Sequence, residues 1–129
     1  MSIGFIYMAS NAAMPGLYKI GSTARSPSLR VRELSAPTPV AEPFQLEYFA
    51  EVSNPGLVEK EIHRLLSDFR PNPSREFFTI KPSDFYDWIY QCDIVMTEWA
   101  GCDACYQSKR GIPMVPYNLP TNTLSQYRE

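Results

Sequence analysis

Glu59 and His63 stand four residues apart in the segment Leu57-Val58-Glu59-Lys60-Glu61-Ile62-His63. On a helix that spacing sets a carboxylate and an imidazole on nearly one face. Such a pair can bind a divalent metal, share a proton, or simply be solvated. His63 is the one histidine of the chain, so any Ser-His-Asp or Cys-His relay would have to run through it. No serine or cysteine has neighbours that suggest an activated nucleophile. The sequence contains no Gly-x-Gly-x-x-Gly turn, no Walker-type phosphate loop and no His-Glu-x-x-His. Cys102-x-x-Cys105 together with Cys92 offers three thiolates, one short of a four-ligand structural zinc site.

Short elements must position these residues. Ile3 to Ala9 is β-branched and aromatic and predicts a strand; Asn11 to Gly16 is a turn signal, and Leu17 to Ser22 predicts an antiparallel partner. Ser26-Pro27 predicts a helix start, with serine as cap and proline in the first turn, and Pro37 and Pro39 stop that helix after about Ser35. Phe44 to Val52 alternates as a third strand. Asn54-Pro55 predicts a second capped helix, in which Val58, Ile62, Leu65, Leu66 and Phe69 form one apolar face. Glu76 to Ile80 predicts a short extended segment. Pro82 opens a helix expected to reach residue 98, with Phe85, Ile89, Cys92 and Met96 on one face. The order β-β-α-β-α-β-α implies an α/β fold of the α+β type: a mainly antiparallel sheet of three to four strands flanked by helices.

At 129 residues the chain accommodates one ordinary domain. The expected division is a domain over residues 1–98 and a Cys-containing turn with a proline-spaced tail over 99–129, which is not a separate domain. No apolar run approaches the roughly 18 residues of a membrane span. The start Met1-Ser2-Ile3-Gly4 lacks a basic segment leading into an apolar stretch, and three cysteines cannot all pair. These features predict a soluble cytoplasmic protein with no membrane partner. The net charge of −2 argues against broad phosphate binding. Charge is unevenly distributed, however: residues 1–40 hold Lys19, Arg25, Arg30 and Arg32 against Glu33 alone, so a local basic patch is available.

Phe5-Ile6-Tyr7, followed by Tyr18-Lys19-Ile20-Gly21, resembles the two hallmark strands of the GIY-YIG nuclease superfamily. The run from Lys19 through Arg30 to Leu34 resembles its arginine-bearing helix. Leu57-Val58-Glu59 through His63, then Arg70 and Glu76-Phe77-Phe78, is similar to the branch containing the meiotically up-regulated and phage-encoded GIY-YIG proteins. The resemblance covers about residues 3–80 in order and spacing, with 82–98 expected as a packing helix.

It implies a metal-dependent endonuclease acting on nucleic acid, DNA favoured, with Mg²⁺ or Mn²⁺ held by Glu59. Tyr7 would assist deprotonation of the attacking water, and since a free phenol has a pKa of about 10, nearby positive charge from Lys19, Arg30 and the metal would have to help. Arg30 would face the scissile phosphate. Gly21 would leave the strand bare enough for a phosphate backbone, with Ser22, Thr23 and Arg25 beside it as substrate contacts. Counting back from Gly21, the tyrosine that opens the second motif aligns with Lys19, not Tyr18. Strand alternation sends the two to opposite faces, so Lys19 is expected in the site and Tyr18 in the core. Leu34 stands where many family members carry His or Tyr, and His63 is expected to take over that function. Two other readings remain open: a binding module on the same fold without turnover, and a protein-interaction domain using residues 99–129.

Overall fold

The computed structural model describes residues 2–35, 42–106, 108, 110 and 119–127. Five antiparallel strands form one sheet in the order β4-β2-β1-β3-β5: β1 (Ile3–Asn11), β2 (Tyr18–Thr23), β3 (Phe44–Ser53), β4 (Phe77–Phe78) and β5 (Thr97–Ala100). The helices are α1 (Pro27–Ser35), α2 (Pro55–Leu65), α3 (Pro82–Ile89) and the short α4 (Cys102–Tyr106). The fold is therefore α+β as expected, with one strand more than the three or four expected. None of the described helices is long and apolar enough to cross a membrane.

Alternation along the strands divides the side chains between two cores. One face carries Ile6, Met8, Ile20, Tyr48, Ala50 and Val52, which pack on Val58, Ile62 and Leu66 of the second helix region and on Phe85, Trp88 and Ile89 of α3. Each such fully buried aliphatic side chain contributes ~1.5–3 kcal/mol relative to exposure. The other face carries Tyr7 and Ala9, which meet Val31 of α1 with Leu34, Phe44, Leu46 and Phe49 around them. Between Met8 and Ala9 the pairing with β3 slips by one residue, so that Glu47 bulges. Its buried carboxylate accepts a hydrogen bond from Ser10 Oγ at 2.6 Å.

The helix starts are built in two ways. Ser26 Oγ accepts the Leu29 N–H at 3.3 Å, the cap expected of Ser26-Pro27. Asn54 does not cap with its side chain; it takes a left-handed conformation, φ 53°, which turns the chain from β3 into Pro55. Asparagine tolerates that region better than most residues. Pro37 and Pro39, expected to stop α1, lie outside the described residues.

The helix expected over 82–98 ends at Ile89. Beyond it the Gln91 N–H bonds back to Trp88 O and Ile94 N–H to Cys92 O, turning the chain so that Ile94 is buried and Met96 is exposed. The chain then runs antiparallel to β3 as β5. Past β5 the described residues pack back on the domain. Leu124 is fully buried in the main core, Trp88 Nε1 donates to Pro120 O at 2.8 Å, and Asn122 Nδ2 donates to Trp88 O at 2.9 Å. Arg110 stacks on Tyr86 and pairs with Glu98 of β5. Cys92 is buried while Cys102 and Cys105 are exposed; none of the three forms a disulfide.

Candidate active site

The first strand pair sets the register of the site. Tyr7 faces Gly21 and Ala9 faces Lys19, so Tyr7, Lys19 and Gly21 share one face of the sheet. Tyr18, opposite Ser10, points the other way and packs against the main core. It lines a cavity of about 480 Å³ with Lys81, Cys102 and Asp103. There burial and the charges of Glu47 and Asp103 raise its pKa, an environment unsuited to an approaching phosphate.

β4 is only two residues long and pairs with Tyr18 and Lys19, so β2 is left without a strand partner on that side from Ile20 onward. Ile20 uses its main chain there to fasten two chemical groups. Its N–H donates to Glu76 O at 3.1 Å, and its carbonyl lies 2.8 Å from His63 Nε2. A ring nitrogen that close to a carbonyl oxygen must carry the proton, since two lone pairs would repel. That nitrogen is then a donor and not a metal ligand, although it stands 3.7 Å from Glu59 Oε2.

Around this edge the side chains converge. Ser22 Oγ donates to Glu59 Oε1 at 2.5 Å. Lys19 Nζ donates to Glu76 Oε2 at 2.7 Å. Ligand atoms of Glu59, His63 and Glu76 all lie within 4.8 Å of one another. Burial would raise the Glu76 pKa, but the Lys19 ammonium outweighs it and holds the carboxyl below its usual range, with Glu59 beside it. The cation thus lets two carboxylates sit side by side.

On the other face, the Arg30 guanidinium of α1 lies close enough to the Tyr7 hydroxyl to act on its ionisation. The tyrosine is 1% exposed, and that burial raises the phenol pKa more than Arg30 lowers it. Glu76 and Glu59 raise it further, which places both carboxylates close enough to be felt at the Tyr7 oxygen. The positive charge expected from Lys19 does not act there, because the ammonium is engaged with Glu76. Tyr7 therefore holds its proton at neutral pH.

Tyr7, Lys19, Arg30, Glu59 and His63 are accordingly brought together around the open edge of β2. The expected substrate contacts are differently placed. Gly21 lies beneath the Tyr7 ring: a Cβ there would meet the phenolic oxygen at 2.6 Å. Its bareness accommodates the tyrosine, a reason the sequence did not suggest. Ser22 is committed to Glu59. Thr23 Oγ1 accepts the Arg25 N–H, and the Arg25 guanidinium forks onto both oxygens of Glu33 at 2.9 Å. Arg32 is exposed. Leu34 packs in the apolar cluster with Tyr7.

Glu76 is the member of this cluster to which sequence reasoning gave no role. It stands in the Glu76-Phe77-Phe78 motif, but its meeting with Glu59 depends on β4 pairing with β2, which no local pattern encodes.

A model of the T5orf172 domain matches residues 4–93, well over half of the chain. The chain belongs to the T5orf172 domain family. No curated protein and no solved structure matches it. The T5orf172 match runs from β1 to just beyond α3 and includes every residue of the converging set. β5 and α4 lie past its end.

Proposed function

We propose that this T5orf172 domain is a divalent-metal-dependent endonuclease of the GIY-YIG type, hydrolysing phosphodiester bonds of nucleic acid, with DNA the favoured substrate. The observation that carries the reading is the convergence of Tyr7 and Arg30, from one face of the sheet, with Glu59 and Glu76 at the free edge of β2. Membership of the T5orf172 family supports a nuclease-like or DNA-related role.

The donor set suits a hard cation. Glu59 and Glu76 would hold it through carboxylate oxygens, the donor type that Mg²⁺ or Mn²⁺ prefers. When bound, that ion supplies Lewis-acid polarisation of the phosphoryl oxygen and stabilises the departing one. The rest belongs to the chain. Arg30 offers a planar fork to the charge that grows on the phosphate oxygens. Tyr7, protonated beside it, orients the attacking water by hydrogen bonding and carries no standing negative charge. Ser22 fixes one oxygen of Glu59, and Lys19 keeps Glu76 ionised.

A second reading, a binding module without turnover, draws support from Leu34, which packs in the apolar cluster with Tyr7 and offers the site no polar group of its own. One assay separates them: end-labelled single- and double-stranded DNA and RNA incubated with Mg²⁺ or Mn²⁺, with and without chelator. Metal-dependent cuts are expected. Binding with every substrate intact would leave the module reading and end the nuclease one.

A further inference from the structure

Cys102 and Cys105 occupy one turn of α4, directly after β5: the strand ends at Ala100 and the helix begins at Cys102, with Gly101 alone between them. Ala104 and Cys105 both donate their N–H to Gly101 O at 3.1 Å, and the Gly101 N–H donates to Glu47 O at 2.9 Å, which ties the turn to β3. Ala104 is fully buried, whereas both thiols are exposed and belong to neither core cluster. Residues three apart on a helix share one side, with Cα atoms about 5 Å apart, inside the roughly 4.4–6.8 Å that a disulfide spans. The backbone spacing already suits closure. The surroundings of the two thiols differ. Cys102 lines the cavity of about 480 Å³ together with Tyr18, Lys81, Ser83 and Asp103; Cys105 is not part of its lining, and its Sγ lies 3.9 Å from Ala100 O. Lys81 and Asp103 are exposed and have no ion-pair partner among the described residues. Ser83 is 6% exposed, and its hydroxyl has no hydrogen-bond partner among them. An unpaired ammonium, an unpaired carboxylate and a bare hydroxyl beside a thiol suit a small ligand with charges of both signs.

We propose that Cys102 and Cys105 are a redox-active dithiol pair that exchanges with a small zwitterionic disulfide seated in the adjoining cavity. The proposal stands independently of the nuclease reading. Cys102 leads because it is the thiol in the cavity wall. Its thiolate attacks one sulfur of the ligand disulfide, forming a mixed disulfide and expelling the first ligand thiolate. The Cys105 thiolate then attacks the Cys102 sulfur, which forms the Cys102–Cys105 bond and expels the second. The two protons given up by the protein thiols end on the two released ligand thiols. The pair loses two electrons and the ligand disulfide gains them. Lys81 receives the ligand's carboxylate and Asp103 its ammonium, which selects a charged peptide disulfide over an uncharged one. Cys92 is outside the exchange, since it is buried and its S–H donates to Asn122 Oδ1 at 3.0 Å.

The test treats the reduced full chain with oxidised glutathione in the absence of oxygen, then quenches with acid, alkylates the remaining thiols and measures peptide masses. A Cys102–Cys105 cross-link is expected, with the loss of two hydrogens, the release of two reduced glutathiones per chain and Cys92 still alkylated. Cys105→Ser is expected to stall as a glutathione adduct on Cys102, and Cys102→Ser to form no cross-link. Lys81→Ala and Asp103→Ala are each expected to slow exchange with oxidised glutathione roughly two- to fivefold, while exchange with the uncharged hydroxyethyl disulfide keeps its rate. Absence of the cross-link, lasting adducts on both cysteines, or a disulfide between two chains would overturn the pair. Slowing of both disulfides alike, or of neither, in folded Lys81→Ala and Asp103→Ala would overturn the cavity as the ligand's seat. The parent's cross-link and glutathione release carry the test should a variant unfold. Cleavage of nucleic acid by Cys102→Ser at the parent's rate is expected as well, and its loss would overturn the independence of the two sites.

Discussion

The Tyr7 ring lies across Gly21, its cross-strand partner, so closely that a Cβ on residue 21 would stand 2.6 Å from the phenolic oxygen and 2.7 Å from Cζ. Tyr7 is fixed from above by Val31 and Leu34 of α1, so the ring has little room to yield. Gly21→Ala is therefore expected to cost ~1–3 kcal/mol of stability, as overpacking does, and to slow cleavage further by displacing the hydroxyl from Arg30. Chemical denaturation beside a cleavage time course reads both. Parent-like stability would mean that the ring swings aside freely.

Burial raises the pKa of Tyr7, and desolvation with the Glu98 hydrogen bond raises that of Tyr48. Each phenol then holds its proton more tightly folded than unfolded. Their contribution to stability is complete below the unfolded value, about 10, and is lost as pH rises beyond it. Stability is expected to fall steeply above about pH 10, less steeply in Tyr7→Phe, with the phenolate absorbance of the metal-free protein appearing late. A tyrosine ionising near neutrality would contradict the assignment of Tyr7 as a protonated phenol.

Glu76 behaves oppositely. Despite desolvation by burial, Lys19 holds its carboxyl below the usual range, so the pair's contribution is present above about pH 4.3 and disappears as pH falls through the depressed value. Lys19→Met is expected to lower the melting temperature near neutrality, where Glu76 and Glu59 would then repel. The gap from the parent should close as pH falls below about 4. A gap independent of pH would reduce Lys19 to a packing residue.

Much of this arrangement was legible in the chain, and the failures share a cause. Tyr7, Lys19 and Arg30 were readable because strand alternation and a capped helix are local: two-residue periodicity alone separates Lys19 from Tyr18. β5 was not, because Phe85, Ile89, Cys92 and Met96 continue a helical spacing past the point where the chain turns. Ile94 fills the core in place of Met96, and pairing with β3 decides the outcome. Glu76 likewise takes its place from strand pairing with distant sequence. That Gly21 makes room for Tyr7 was hidden for the same reason: the group it accommodates is a side chain on the neighbouring strand.

Glu59 and Arg30 reach the site from opposite faces of the sheet, and the nuclease reading requires that both serve one reaction. The most direct test compares Glu59→Gln, Arg30→Ala and Arg32→Ala in cleavage, with Mn²⁺ binding followed by electron paramagnetic resonance and folding by circular dichroism. Glu59→Gln is predicted to stay folded, lose Mn²⁺ and lose cleavage. Arg30→Ala should keep Mn²⁺ and cut roughly a hundred- to a thousandfold more slowly, with Arg32→Ala near the parent. Undiminished cleavage by folded Glu59→Gln, or equal losses from the two arginine variants, would contradict that requirement.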